Sequence, residues 1–203
     1  LWEPMKIESL QIFVIEMPNS FRSVKLKKQL KSFGLKFEVI KAIVGKNLSQ
    51  EELSTSVDLN ACKVRLGYPI GKELIGSGLS HQAIYKESLR KEVDWALIFE
   101  EDAQLVSKSF FIEDLNLLIN NKNLLSTPKI IQLFSRASRI AKKYPFETLK
   151  TTQLFEFYPR LVGSGAPAYL INKSALELFK GTSKLNGAPD WPPMARSLTD
   201  RPH

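Results

Sequence analysis

The sequence alternates between short apolar runs and segments with helical periodicity, and this alternation restricts the fold more than any other feature. The first run, Leu10–Glu16, has the length of a buried strand and ends at a Pro-Asn-Ser turn. Residues 20–33 then repeat apolar side chains at helical spacing. Such alternation is typical of a sheet with helices packed on it. We therefore predict an α/β fold with a mostly parallel central sheet flanked by helices.

The same patterns predict the later elements of the chain. Strands are predicted at residues 37–44, 95–99, 129–134, 151–158 and 168–171. Helices are predicted at residues 79–91, 110–119 and 174–180, with a short helix after the capping-box pattern of residues 49–52. Three segments are predicted as loops: residues 76–78 (Gly-Ser-Gly), residues 142–146 and residues 187–193.

Composition limits the class of protein. The chain has 203 residues, 43% of them hydrophobic, so it can bury a core and is not intrinsically disordered. Its single cysteine, Cys62, excludes an intramolecular disulfide framework. Its two histidines, His81 and His203, are too few for a zinc site built mainly on His and Cys.

From the length and composition we expect a single domain, over residues 10–203. Residues 1–9 are expected to be an N-terminal extension, because residues 1–4 precede Met5 and indicate a start other than the native one. No segment has the roughly 20 apolar residues that a membrane-spanning helix needs. A chain without disulfides suits a reducing compartment, so we expect a cytoplasmic protein.

The charge of the chain indicates an anionic partner without identifying it. Lys and Arg number 29 against 21 Asp and Glu, which gives a formal net charge of +8. Nucleic acid, a phosphorylated substrate and a membrane surface all fit this charge.

Three acidic residues, Glu100, Glu101 and Asp102, directly follow the strand predicted at residues 95–99. Ligands of open α/β sheets bind beyond the carboxyl ends of the strands. Glu100 and Asp102 project to the same side if the strand geometry continues. Carboxylates suit Mn²⁺ or Mg²⁺, which often also bind substrate phosphates. The pattern predicts a metal site at Glu100 and Asp102, and the alternative is an exposed acidic turn.

A second candidate site lies where Ser80 and His81 follow Gly76 and Gly78. Glycines allow backbone N–H groups to approach an anion, and the start of a helix favours negative charge. His81 could therefore bind a phosphate or a sugar hydroxyl. Taken alone, His81 is better explained as a helix-capping or buried structural residue. A second Gly-Ser-Gly segment at residues 163–165 is a weaker indication of a ligand.

A third candidate is Asp190, which stands in a Pro-Asp-Trp-Pro segment. Rigid prolines and an aromatic ring around a carboxylate suit contact with a sugar. Asp190 could equally cap a short helix, and its local sequence favours the cap.

Taken in order, several segments resemble glycosyltransferase family 25, the lipooligosaccharide galactosyltransferase group. Residues 75–81 (Ile-Gly-Ser-Gly-Leu-Ser-His) are similar to the family's Ile-Gly-Cys-x-Leu-Ser-His motif. Residues 97–102 (Leu-Ile-Phe-Glu-Glu-Asp) resemble its strand ending in Glu-Asp-Asp. The other matching segments are residues 12–22, 37–45, 163–175 and 189–190.

The resemblance implies a GT-A-like fold and a transfer of galactose, or another hexose, from a UDP-sugar to a lipopolysaccharide or other surface-glycan acceptor. It implies Mn²⁺ or Mg²⁺ at Asp102, supported by Glu100. An inverting β-galactosyltransferase also needs a base for the acceptor hydroxyl, for which Asp190 is the candidate. The residues implied to bind the nucleotide sugar are Asn19, Arg22, Ser80, His81, Glu101 and Gly163.

The sequence departs from the family pattern at several positions. Lys41 stands where the family has Asp, Ser77 replaces a Cys, and Glu101 replaces the middle Asp. The chain also ends 13 residues after Asp190, where family members continue. These departures keep an alternative open, in which a truncated or inactive family member binds a nucleotide sugar or glycan without turnover.

The implied glycolipid acceptor also gives the positive charge a partner. We expect a peripheral contact with the anionic inner face of the inner membrane. A nucleic-acid partner is not expected, because the sequence carries no helix-turn-helix, zinc-finger or RNA-recognition signature.

Overall fold

Five strands form the central sheet, and helices cover both of its faces. The computed structural model describes residues 10–105, 108–133, 145–148, 153–155, 167–181 and 183–187. The strands are β1 (Leu10–Glu16), β2 (Glu38–Lys41), β3 (Trp95–Glu100), β4 (Ile130–Gln132), β5 (Pro145–Thr148), β6 (Gln153–Phe155) and β7 (Ala168–Asn172). The helices are α1 (Ser23–Ser32), α2 (Gln50–Ser56), α3 (Leu59–Leu66), α4 (Lys72–Arg90), α5 (Lys108–Ile119), α6 (Lys122–Leu125) and α7 (Lys173–Leu178), with a 3-10 turn at Gly45–Asn47.

The order of the strands is β2-β1-β3-β7-β4, and the sheet is mixed. β1 pairs in parallel with β2 and β3, so three carboxyl ends meet at one edge. β7 runs antiparallel to both β3 and β4. The prediction of a mostly parallel sheet is thus right for the half that carries the acidic residues and wrong for β7. The separate β5–β6 pair is an antiparallel ladder.

Both faces of the sheet are buried, which explains why β1 and β3 are apolar along nearly their whole length. On one face, Ile12 and Val14 of β1 pack with Leu26 and Leu30 of α1 and with residues of α5. On the other face, Phe13 and Ile15 of β1 pack with residues of α4 and α7. The helix residues include Ile84, Tyr85, Ala175 and Leu176. Alternate residues of β1 therefore pack against the helices on the two faces of the sheet.

The prediction of a loop at residues 76–78 is wrong, because these residues lie inside α4. A Cβ at Gly76 would lie 2.4 Å from the carbonyl oxygen of Ile43 and 2.6 Å from the nitrogen of Gly45. Glycine is needed there because α4 packs directly on the backbone that follows β2. The helix predicted to start at residue 79 starts at Lys72, so the N-terminus of α4 does not lie beside His81.

The remaining helices and strands differ from the predicted ones mainly at their ends. The capping box of Ser49 and Glu52 is formed, and Asn172 caps α7 by accepting a bond from the N–H of Ala175. α3 was not predicted, and β5 includes two residues of the segment predicted as a loop. Within the described residues, no helix is long and apolar enough to cross a membrane. Residues 1–9 and 188–203 lie outside the described residues.

Candidate functional site

A cavity of about 330 Å³ opens at the carboxyl ends of β1, β2 and β3. Parallel strands bring the segments that follow them to a common edge, so this is where a ligand site is expected. Three parts of the wall were expected from the sequence: Arg22, Ser80 and the acidic residues 100–102. The rest of the wall consists of Ile15, Met17, Ala42, Ile43, Val44, Gly45, Lys46, Glu73 and Ser77.

The acidic residues stand at the point where β3 becomes a turn. β3 ends at Glu100, and the N–H of Ala103 donates to the carbonyl of Glu100 at 3.1 Å. The strand geometry therefore stops before Asp102. All three carboxylates nevertheless line the cavity. The side chain of Asp102 is 48% exposed and that of Glu101 only 11%, so Asp102 is the more accessible to a ligand.

Arg22 connects the β1–α1 turn to these acids. Its Nη2 lies 2.8 Å from Oδ2 of Asp102, and its Nη1 lies 3.5 Å from Oε1 of Glu101. The other oxygen of Glu101 accepts a bond from the N–H of Met17 at 3.1 Å. Glu101 therefore fixes the turn after β1, and Arg22 partly balances the negative charge of the acidic residues.

His81 is buried and reaches the site through Glu100. Its Nε2 lies 3.4 Å from Oε1 of Glu100, and its Nδ1 lies 2.6 Å from the hydroxyl of Tyr169. That hydroxyl is 2.8 Å from the hydroxyl of Tyr85. His81 thus belongs to a buried series of hydrogen bonds that ends at Glu100, and its role toward a nucleotide sugar stays a prediction.

Ser80 lines the cavity with its hydroxyl already engaged. The hydroxyl donates to the carbonyl of Gly76 at 2.7 Å and accepts from the N–H of Ile43 at 2.8 Å. These bonds tie α4 to the segment after β2. Its described contacts are structural, and its role toward a nucleotide sugar stays a prediction.

Asn19 is described by the structure but lies outside the cavity wall. Asn19 is exposed in the β1–α1 turn with a φ of 60°, a left-handed conformation that Asn tolerates well. Gly163 and Asp190 lie outside the described residues.

The sequence did not single out Met17, Lys46, Glu73 and Ser77 as site residues. Lys46 and Glu73 form an ion pair of 3.0 Å at the cavity, and the hydrogen bond from Lys46 lowers the pKa of Glu73. Lys46 could have been found from its place just after β2, since segments at that edge of the sheet line the site. The position of Glu73 could not, because it depends on where α4 begins.

The donor atoms at the acidic residues suit a hard divalent cation. Among the described residues, no group of three or more His, Cys, Asp and Glu side chains is arranged to hold a metal ion. Glu100 and Asp102 nevertheless present carboxylates to the same cavity. Mg²⁺ is commonly bound by one or two carboxylates together with substrate phosphates. The side chains of Glu100 and Asp102 therefore fit such an ion.

Comparison with known proteins gave one family match. A family model described as glycosyltransferase family 25 (LPS biosynthesis protein) matches residues 9–190. A search of curated proteins found no match. The family match spans every described strand and includes Asp190.

Proposed function

The chain belongs to glycosyltransferase family 25, a family of LPS biosynthesis, and we propose that it transfers a hexose from a UDP-sugar to an LPS glycan. Galactose is the proposed sugar. The observation that carries the proposal is the cavity at the ends of three parallel strands, where Arg22 and Lys46 stand among acidic residues. Cationic side chains can bind the diphosphate of a nucleotide sugar, and carboxylates can hold an accompanying cation.

Arg22 is the proposed contact of the donor diphosphate. A guanidinium can bind phosphate oxygens through two parallel N–H bonds. Its present partners, Glu101 and Asp102, keep it at the cavity. When a donor enters, Arg22 can exchange the exposed Asp102 for a phosphate oxygen and retain Glu101.

Glu100 and Asp102 are the proposed ligands of Mn²⁺ or Mg²⁺. When bound, such an ion would neutralise the charge that develops on the departing UDP. His81 would act on this site through Glu100, by holding one carboxylate oxygen with its Nε2–H. A ligand fixed by such a bond keeps its orientation.

An inverting transfer requires a base on the acceptor side. The acceptor hydroxyl attacks the anomeric carbon, the bond to the UDP oxygen breaks, and the hydroxyl proton passes to a carboxylate. Asp190 is the proposed base, on the resemblance of its Pro-Asp segment to the family's terminal motif. It lies outside the described residues but within the matched range.

A second candidate function is binding without turnover. Two observations favour it: Arg22 is bonded to Asp102, one of the two carboxylates proposed for the metal, and Lys41 replaces a family Asp at the end of β2. Under this alternative the protein would bind UDP or a glycan, and no donor would be consumed.

The test is UDP release from UDP-galactose in the presence of truncated LPS and Mn²⁺. We expect Asp102→Ala to lower the rate by about 100-fold or more, because a lost metal ligand removes several kcal/mol of transition-state stabilisation. Asp94→Ala is the matched control, since Asp94 is exposed at the opposite end of β3. Equal rates in the two variants would contradict the metal site. Binding of UDP without release across a panel of donors would favour the second function.

A further inference from the structure

The surface around α1 carries an unusual concentration of positive charge. Residues 17–37 contain six Lys and Arg and no Asp or Glu. Arg22 and Lys27 point to acidic partners, Asp102 and Glu16. Within the described part of the chain, no ion pair with a carboxylate is formed by the others, which are Lys25, Lys28, Lys31 and Lys36.

These lysines lie largely on one side of α1. The buried side of the helix consists of Ser23, Leu26 and Leu30, which face the sheet. At about 100° per residue, positions 24, 25, 28 and 31 fall within an arc of about 120° on the opposite side. Val24, Lys25, Lys28 and Lys31 are all exposed. Lys108 extends the positive surface, because its Nζ donates to the carbonyl of Ser32 at the end of α1.

An apolar side chain stands at the end of α1 that is nearer to the cavity. Phe21 is 85% exposed, and Val24, one turn later, is 38% exposed. Arg22, between them in sequence, lines the cavity. The basic side of α1 therefore begins at the rim of the candidate site.

We propose that this side of α1, defined by Phe21, Val24, Lys25, Lys28 and Lys31, docks the protein on an anionic lipid surface. The lysines would contact lipid phosphates, and Phe21 would enter the boundary between headgroups and acyl chains. A lipid surface is favoured over a nucleic acid because exposed Phe21 and Val24 gain from an apolar boundary and gain nothing from a duplex backbone. Docking would place the cavity beside a lipid-linked acceptor.

Only the placement of the cavity beside a lipid-linked acceptor rests on the proposed function. The docking surface and the proposed function can therefore fail separately. Vesicle binding requires no donor and no turnover. Conversely, UDP release with a soluble glycan acceptor requires no vesicle. A protein that transfers sugar but ignores anionic vesicles would overturn the docking surface alone.

The experiment is co-sedimentation with phosphatidylcholine vesicles that contain or lack phosphatidylglycerol. We expect binding to the anionic vesicles only, and its loss at high salt. Lys28→Glu/Lys31→Glu should weaken binding by about 30-fold or more, since each lysine near the surface contributes a factor of about five. Phe21→Ser should also weaken it, whereas Leu178→Ser, a comparably apolar exposed residue on α7, should not.

The matched control is Lys86→Glu/Lys173→Glu, which changes the net charge equally. Lys86 and Lys173 are exposed on α4 and α7, on the opposite face of the sheet from α1. We expect this variant to bind like the wild type. Equal loss in both double variants, or no binding by the wild type, would overturn the proposal. Displacement of bound vesicles by a short DNA duplex would overturn it in favour of general polyanion binding.

Discussion

At the scale of single residues, the bonds of His81 determine its tautomer. An ionised Glu100 can only accept, so the Nε2 of His81 must carry the proton in their contact of 3.4 Å. A ring with its single proton on Nε2 then accepts at Nδ1 from the Tyr169 hydroxyl, 2.6 Å away. Tyr169 in turn accepts from the hydroxyl of Tyr85. In this series of hydrogen bonds, Tyr85, Tyr169 and His81 each donate toward the carboxylate of Glu100.

We expect nitrogen-15 NMR to find that a His81 ring with a single proton carries it on Nε2. The chain has two histidines, so His203→Ala assigns both sets of signals. In Tyr169→Phe the donor to Nδ1 is lost, and the Nδ1–H form should gain population. A wild-type ring with the proton on Nδ1 alone would contradict this arrangement of the site.

Sequence reasoning identified several residues of the site but not their partners. Residues 100–102 were found because they follow a buried strand, whereas Arg22 was implied by the resemblance of residues 12–22 to the family's first strand and turn. The partner of His81 is 88 residues away, in β7. A local motif cannot reveal such a contact, because it is created when distant strands pair.

At the scale of elements, the approach of α4 to the segment after β2 depends on two glycines. A Cβ at Gly45 would lie 1.8 Å from the carbonyl oxygen of Lys72, and a Cβ at Gly76 would meet backbone atoms of Ile43 and Gly45. Backbone atoms cannot move aside as a flexible side chain can. The wall of the cavity at residues 42–46 is thus held at a distance that only glycine permits.

Gly76→Ala is expected to destabilise the protein by about 1–3 kcal/mol, the usual cost of overpacking a buried contact. Urea unfolding measures this change. Gly71→Ala is the matched control, because Gly71 has an ordinary φ of −75° and a Cβ there meets only Glu73 Oε2 at 3.5 Å. Similar stabilities for both variants would mean that α4 does not pack this closely.

The elements also show where sequence patterns fail. β1 has the predicted bounds, and the helix after residues 49–52 begins at its capping box, because both signals are local. α4 was predicted to begin seven residues late, because glycines inside a helix resemble a loop when the backbone they pack on is unknown. The direction of β7 was missed because it is determined by pairing with β3 and not by its own sequence.

At the scale of the whole molecule, stability depends on acidic residues whose pKa values are lowered in the fold. Hydrogen bonds from Lys27 and Ser23 lower the pKa of Glu16. The hydrogen bond from Arg90 lowers the pKa of Glu87 from 4.5 to about 2. A group with a lowered folded pKa stabilises the fold above its unfolded value, and this contribution is lost as the pH falls toward the folded value.

We therefore expect the melting temperature to fall as the pH drops from about 4.5 toward about 2. Glu87→Gln removes one of these groups and should make the pH dependence weaker over this window. Glu51→Gln, an exposed change on α2, is the control and should leave the curve unchanged. A melting temperature that stays constant through this range would contradict the contribution of these ion pairs.

The whole fold also explains why the net charge of +8 is compatible with an acidic cavity. Three acids gather where β3 ends, and Lys25, Lys28 and Lys31 lie on the outer side of α1. Composition alone left nucleic acid, phosphorylated substrate and membrane open. The separation of charge favours a cation at the acidic cavity and an anionic surface outside it.

The most direct test of the account is sugar transfer itself, measured as labelled hexose incorporated into truncated LPS from a panel of UDP-sugars. With Mn²⁺ we expect incorporation, highest from UDP-galactose, and we expect a chelator to abolish it. Asp94→Ala should retain the activity and Asp102→Ala should lose it. Absence of incorporation from every donor, by a folded wild-type protein that still binds UDP, would contradict the account.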